Sequence, residues 1–95
     1  MNQTQLESFL FSASAFRSEH GWIEVPEHRH ITLHVSHNGV GLTVSKVETV
    51  SVRDEVVRVQ TRKGERYQLL LDDVFAAAME APQDGERKAG FGAER

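Results

Sequence analysis

Five histidines fall between positions 20 and 37 of the chain, and three of them are spaced to share one side of a strand. Side chains two apart along a β-strand point the same way, so His28, His30 and His34 line up with Thr32 and Ser36. Ile31, Leu33 and Val35 take the opposite side. Imidazole is the commonest nitrogen ligand of divalent metals, and a His-x-His pair on one strand is close enough to chelate. Read as a site, His28, His30 and His34 would hold zinc or nickel, with His20, His37, Glu24 or Glu27 completing the set through the fold. The same face could also act as a pH-responsive surface, because imidazole titrates near neutral pH. Against both stands a plainer reading, a solvated strand face. The spacing matches no zinc signature of the His-Glu-x-x-His kind, so the plainer reading is preferred and no cofactor is expected.

A second cluster is basic. Arg58, Gln60 and Arg62 alternate along one strand-like run, and Arg66 and Gln68 along the next. Residues 28–71 carry a net +3, while 1–27 and 72–81 carry −3 each, so a mildly basic sheet is set against acidic ends. Arg58, Arg62 and Arg66 are therefore candidate nucleic-acid contacts. Sheets that bind single strands add aromatic platforms for the bases. Here Tyr67 falls on the apolar side by parity, so an ordinary charged exterior is the favoured account. Two apolar residues break the same polar side: Val56 on one strand and Leu70 on its neighbour. In a simple meander they would be exposed, and an exposed apolar pair marks a candidate surface for a protein partner or a second copy.

Catalytic patterns are missing. Asn38-Gly39-Val40-Gly41 reads as a hairpin turn and not a phosphate-cradling loop, no Gly-x-Ser-x-Gly occurs, and no cysteine could serve as nucleophile. Asp72 and Asp73 are adjacent and suit a helix cap better than a carboxylate pair, and Ser12 and Ser14 suit a helix surface. The expectation is a non-enzymatic protein.

These residues need elements to hold them. Leu6, Phe9, Leu10, Ala13 and Phe16 recur at helical spacing, which predicts a helix over about 5–18 with Thr4 and Glu7 as a capping box and Gly21 as the stop. Trp22–Pro26 reads as an edge strand or loop, since Pro26 lacks a backbone donor. From residue 28 the period becomes two. Asn38-Gly39 predicts a tight hairpin, and Arg53-Asp54-Glu55 and Lys63-Gly64-Glu65 predict further turns. The whole of 28–71 then forms an antiparallel meander of four to five strands with one oily face. Val44 and Val47 differ in parity, so the register must slip between them. Residues 72–81 return to a helical pattern, with Val74, Phe75, Ala78 and Met79 as its stripe and Pro82 as its stop. Residues 82–95 are glycine-rich and charged, and read as a disordered tail.

The expected architecture is a single α+β domain over 1–81, with an N-terminal helix and a short C-terminal helix packed on one sheet face. A small curled barrel with flanking helices is the alternative. At 95 residues and 10.7 kDa the core is small, so burial of a sheet edge or helix face in a homo-oligomer is expected. The absence of cysteine excludes disulfides and thiolate metal sites. No basic N-terminal segment and no long apolar run are present, which leads to the expectation of a cytoplasmic protein without membrane contact. Together these readings predict a protein-interaction or regulatory domain that self-associates. Metal or pH-responsive binding at the histidines, and weak nucleic-acid binding at the arginines, are the alternatives.

Overall fold

A computed structural model describes residues 1–18 and 20–80. The expected tail over 82–95 lies outside the described residues. The chain begins with a helix, α1 (Gln3–Ser12), and continues almost wholly as strands. These are β1 (Phe16–Arg17), β2 (Ile23–Glu24), β3 (His30–His37), β4 (Val40–Val44), β5 (Val47–Arg53), β6 (Val56–Thr61), β7 (Arg66–Leu70) and β8 (Val74–Glu80). All pairings are antiparallel. They make a five-stranded sheet in the order β1-β2-β5-β6-β7 and a three-stranded sheet in the order β4-β3-β8. The class is α+β, and the sheets do not close into a barrel. No helix among the described residues is long and apolar enough to cross a membrane.

Helix α1 is shorter than the hydrophobic spacing predicts, and it starts earlier. Its cap is Asn2, not Thr4: Asn2 Oδ1 accepts from the Gln5 amide at 2.7 Å, and Gln5 Oε1 accepts from the Asn2 amide at 2.9 Å. This reciprocal pair satisfies two donors that a helix start leaves orphaned. The helix ends well before Gly21 because Ser14 turns left-handed, at φ 70°, and the Ala15 amide then donates back to Leu10 O. Phe16, expected on the buried stripe, is instead carried into β1 and exposed. Leu6 and Leu10 remain, fully buried.

The meander divides between the two sheets. Val44 and Val47 are both buried although an odd number of positions separates them. The slip falls at Lys46, whose φ of 56° breaks the extended chain and sends β4 out of one sheet and β5 into the other. The inner sides of both sheets meet α1 in one core. Ile31, Leu33, Val44 and Val74 come from the three-stranded sheet, and Ile23, Val47, Val50, Val57 and Val59 from the five-stranded one. Thr61 is the one buried polar residue among those described, and its hydroxyl accepts from the Glu65 amide at 3.2 Å.

The C-terminal helix expected over 72–81 is not formed. Leu71–Asp73 makes a single 3-10 turn, and Val74–Glu80 runs as β8 against β3. Alanine and methionine favour a helix locally, but the open edge of β3 carries backbone donors and acceptors that must be paired, and the ladder with β8 pairs them. Asp72 and Asp73 therefore cap no α-helix.

Two hairpins turn on a pair of residues at positive φ, as a type I′ turn requires. In the first, Asn38 and Gly39 stand at 50° and 82°, a combination these residues adopt readily. In the second, Asp54 and Glu55 stand at 52° and 67°, where a Cβ is strained. Relief of about 1–2 kcal/mol of left-handed strain outweighs the roughly 0.5–1 kcal/mol of chain entropy that glycine adds to the unfolded state. Glu55→Gly is therefore expected to raise stability by about 0.5–1 kcal/mol, seen as a higher thermal midpoint. A lower midpoint would show that the Glu55 side chain holds the turn.

Candidate functional site

The outer face of the five-stranded sheet gathers the polar residues that the strand register dictates. Across β6 and β7, Arg58 stands opposite Gln68 and Gln60 opposite Arg66. Thr49 of β5 faces Gln60, and Glu24 of β2 faces Thr49. Arg58 Nε donates to Gln68 Oε1 at 3.3 Å. The connection from β1 to β2 is tied by the Ser18 amide donating to Trp22 O at 2.7 Å, and it brings Ser18, His20 and Trp22 to the same place. Together these residues line an open groove of about 630 Å³. That size lies within the roughly 300–1,000 Å³ usual for small-molecule sites.

Among the described residues no ion pair holds Arg58 or Arg66, and both are exposed. Arg62, grouped with them by spacing, does something else. It lies past the end of β6, and its Nη2 donates to the carbonyls of Val25 and Pro26, both at 2.8 Å. Its Nη1 also stands 3.9 Å from Glu48 Oε2. Arg62 thus clasps the segment leading out of β2. Tyr67, half-buried, packs in part against the core and also lines the groove, and its Oη donates to Glu65 Oε1 at 3.4 Å. Desolvation first, and then the Glu65 carboxylate, hold its phenol above the usual tyrosine range.

The histidines do not gather as one set. His28 is exposed in the turn before β3, where the Arg29 amide donates to Pro26 O at 3.0 Å. His30 and His34 are half-buried on β3 and line a hollow of about 310 Å³ with Thr32, Thr43, Lys46 and Glu80. His30 is paired in register with Glu80, and the His34 ring lies 6.1 Å from that of Phe75. Among the described residues no three His, Cys, Asp or Glu side chains converge as a metal set would. His37 Nδ1 lies 3.0 Å from Asp73 Oδ2, which fastens the end of β3 to the 3-10 turn.

Val56 and Leu70 are direct cross-strand partners on β6 and β7, with Val56 half-buried and Leu70 52% exposed. A larger apolar exposure lies on the other sheet. Phe75 is 64% exposed and Met79 42% exposed, both on β8, whose far side has no strand paired to it among the described residues. The helical reading of 72–81 concealed this edge. Trp22 was likewise missed as a neighbour of the arginines, because the β1–β2 connection that delivers it has no periodicity to read.

No family model matches the chain, and neither the comparison with curated proteins nor that with solved structures gave a match.

Proposed function

We propose that the protein is a small non-enzymatic binding domain that acts as a self-associated pair, with two copies joined along their β8 edges. The observation that carries this reading is the character of β8 as an edge. An exposed strand edge offers unpaired donors and acceptors to another strand unless it is blunted by shortness, charge, proline or a bulge. Among the described residues there are four such edges: β1 has only two residues and β7 carries Arg66, while β4, uncharged and exposing Val40 and Leu42, is two residues shorter than β8. β8 runs for seven residues, Val-Phe-Ala-Ala-Ala-Met-Glu, with no charge before Glu80. The single bulge in its ladder falls at His34/Val35, near its start. A second copy running antiparallel would continue the three-stranded sheet and cover Phe75 and Met79 at the seam. The small Ala76, Ala77 and Ala78 would let the two backbones come together without obstruction. The pair of half-buried Val56 and exposed Leu70, on the other sheet, stays available to a different protein.

Sedimentation of the full chain over a range of concentrations tests this reading. A monomer–dimer equilibrium that shifts to dimer with concentration is expected. A monomer at every concentration would overturn it.

A further inference from the structure

We propose that the groove on the outer face of the five-stranded sheet binds a nucleotide unit, with the base against Trp22 and the phosphate on Arg58 and Arg66. The site is in the sheet that lacks β8, so the inference stands apart from self-association. The register sets the two arginines on adjacent strands in diagonal positions, since Arg58 faces Gln68 and Arg66 faces Gln60. Diagonal neighbours on one sheet face lie roughly 7–8 Å apart at the backbone. Two long guanidinium side chains at that separation reach a single phosphate, and arginine's fork matches phosphate oxygens. Charge complementarity favours an anion: Glu24 is the carboxylate lining the groove, against Arg58 and Arg66.

Trp22 is half-buried, lines the groove, and does not belong to the central core cluster. An indole and two arginines lining one groove make the pairing of stacking platform and backbone clamp by which single-stranded nucleic acid is held. Gln60, Gln68 and Thr49 supply donors and acceptors for a base edge or a sugar hydroxyl. A free nucleotide and a nucleotide within a strand share this chemistry, and the test separates them.

Trp22 is the only tryptophan, so its fluorescence reports on this groove alone. The full chain is titrated at low salt with a mononucleotide, with a short single-stranded oligonucleotide, with a phosphotyrosine peptide and with inorganic phosphate. Quenching of Trp22 by either nucleotide form, and not by phosphate alone, is expected. If the oligonucleotide binds on the order of tenfold more tightly than the mononucleotide, with a log–log salt slope of about −0.7 for the one phosphate the two arginines share, the source is a single strand. Equal affinities assign the site to free nucleotides. Arg58→Ala combined with Arg66→Ala should weaken binding by on the order of tenfold or more while circular dichroism stays unchanged, because both side chains are exposed. Lys63→Ala, at the neighbouring turn, should leave binding unaltered. No quenching by either nucleotide form, quenching by the phosphopeptide alone, or equal quenching in the double arginine variant would each overturn the proposal.

Discussion

Arg62→Ala should lower the stability of the fold by about 2–3 kcal/mol, far more than loss of any other arginine on the five-stranded sheet. Its guanidinium donates to two backbone carbonyls at 2.8 Å, those of Val25 and Pro26, and its side chain is only 22% exposed. Hydrogen bonds from charged groups contribute about 1.5–3 kcal/mol each, and partial exposure reduces the sum. Its Nε is buried with no partner, which places the effect toward the lower part of that sum. The position explains the leverage. The Val25–Pro26 segment leads from β2 of one sheet toward β3 of the other, and Arg62 pins it to the turn that follows β6. Arg62→Lys should recover less than half of the loss, because an ammonium is a point donor and cannot hold two carbonyls in the fixed fork of a guanidinium. Urea denaturation measures both variants. Arg58→Ala and Arg66→Ala, at exposed positions, should stay within about 0.5 kcal/mol of the parent. A similarly small change in Arg62→Ala would show that the clasp does not hold the fold.

The second large effect is on assembly. If two copies pair through β8 as proposed, the double substitution Phe75→Lys with Met79→Lys should leave a monomer whose fold is intact. Each lysine replaces an exposed side chain, so the monomer should change by no more than about 1 kcal/mol. At a β8–β8 seam the two copies would confront each other with like charges on adjoining strands, and lysine on an edge is the device by which natural sheets prevent such pairing. Sedimentation of the variant beside the parent checks this. A variant that still dimerises as the parent does would place the contact elsewhere. Leu70→Lys, on the outer face of the other sheet, is the matched control and should leave the dimer intact.

What could be read in the chain follows the range of the forces involved. Alternation along 30–35 is local, and it correctly separates Ile31, Leu33 and Val35 from His30, Thr32 and His34. Asn38-Gly39 is a local turn signal, and β3 and β4 pair around it with His37 opposite Val40. The parity conflict between Val44 and Val47 announces a break, and Lys46 supplies it through its positive φ. The division into two sheets was not legible, because parity says which side a residue faces and not which strand lies beside it. β8 reads locally as a helix because three consecutive alanines followed by methionine favour one, and only the distant edge of β3 outweighs that preference. The candidate sites divide the same way. Arg58 and Arg66 share a face by simple alternation. Arg62 continues that alternation on paper, yet it leaves the strand and binds carbonyls 36 and 37 residues away, for which no spacing rule exists. His28 fails to join His30 and His34 because β3 begins only at His30.

Amide hydrogen exchange at low and high protein concentration reads out whether β8 is the edge through which two copies join. If β8 is that edge, protection across Val74–Glu80 rises with concentration, while the edges at β4 and β7 exchange at the same rate in both samples. Concentration-independent exchange along β8, or protection that grows at β4 or β7 instead, would contradict it.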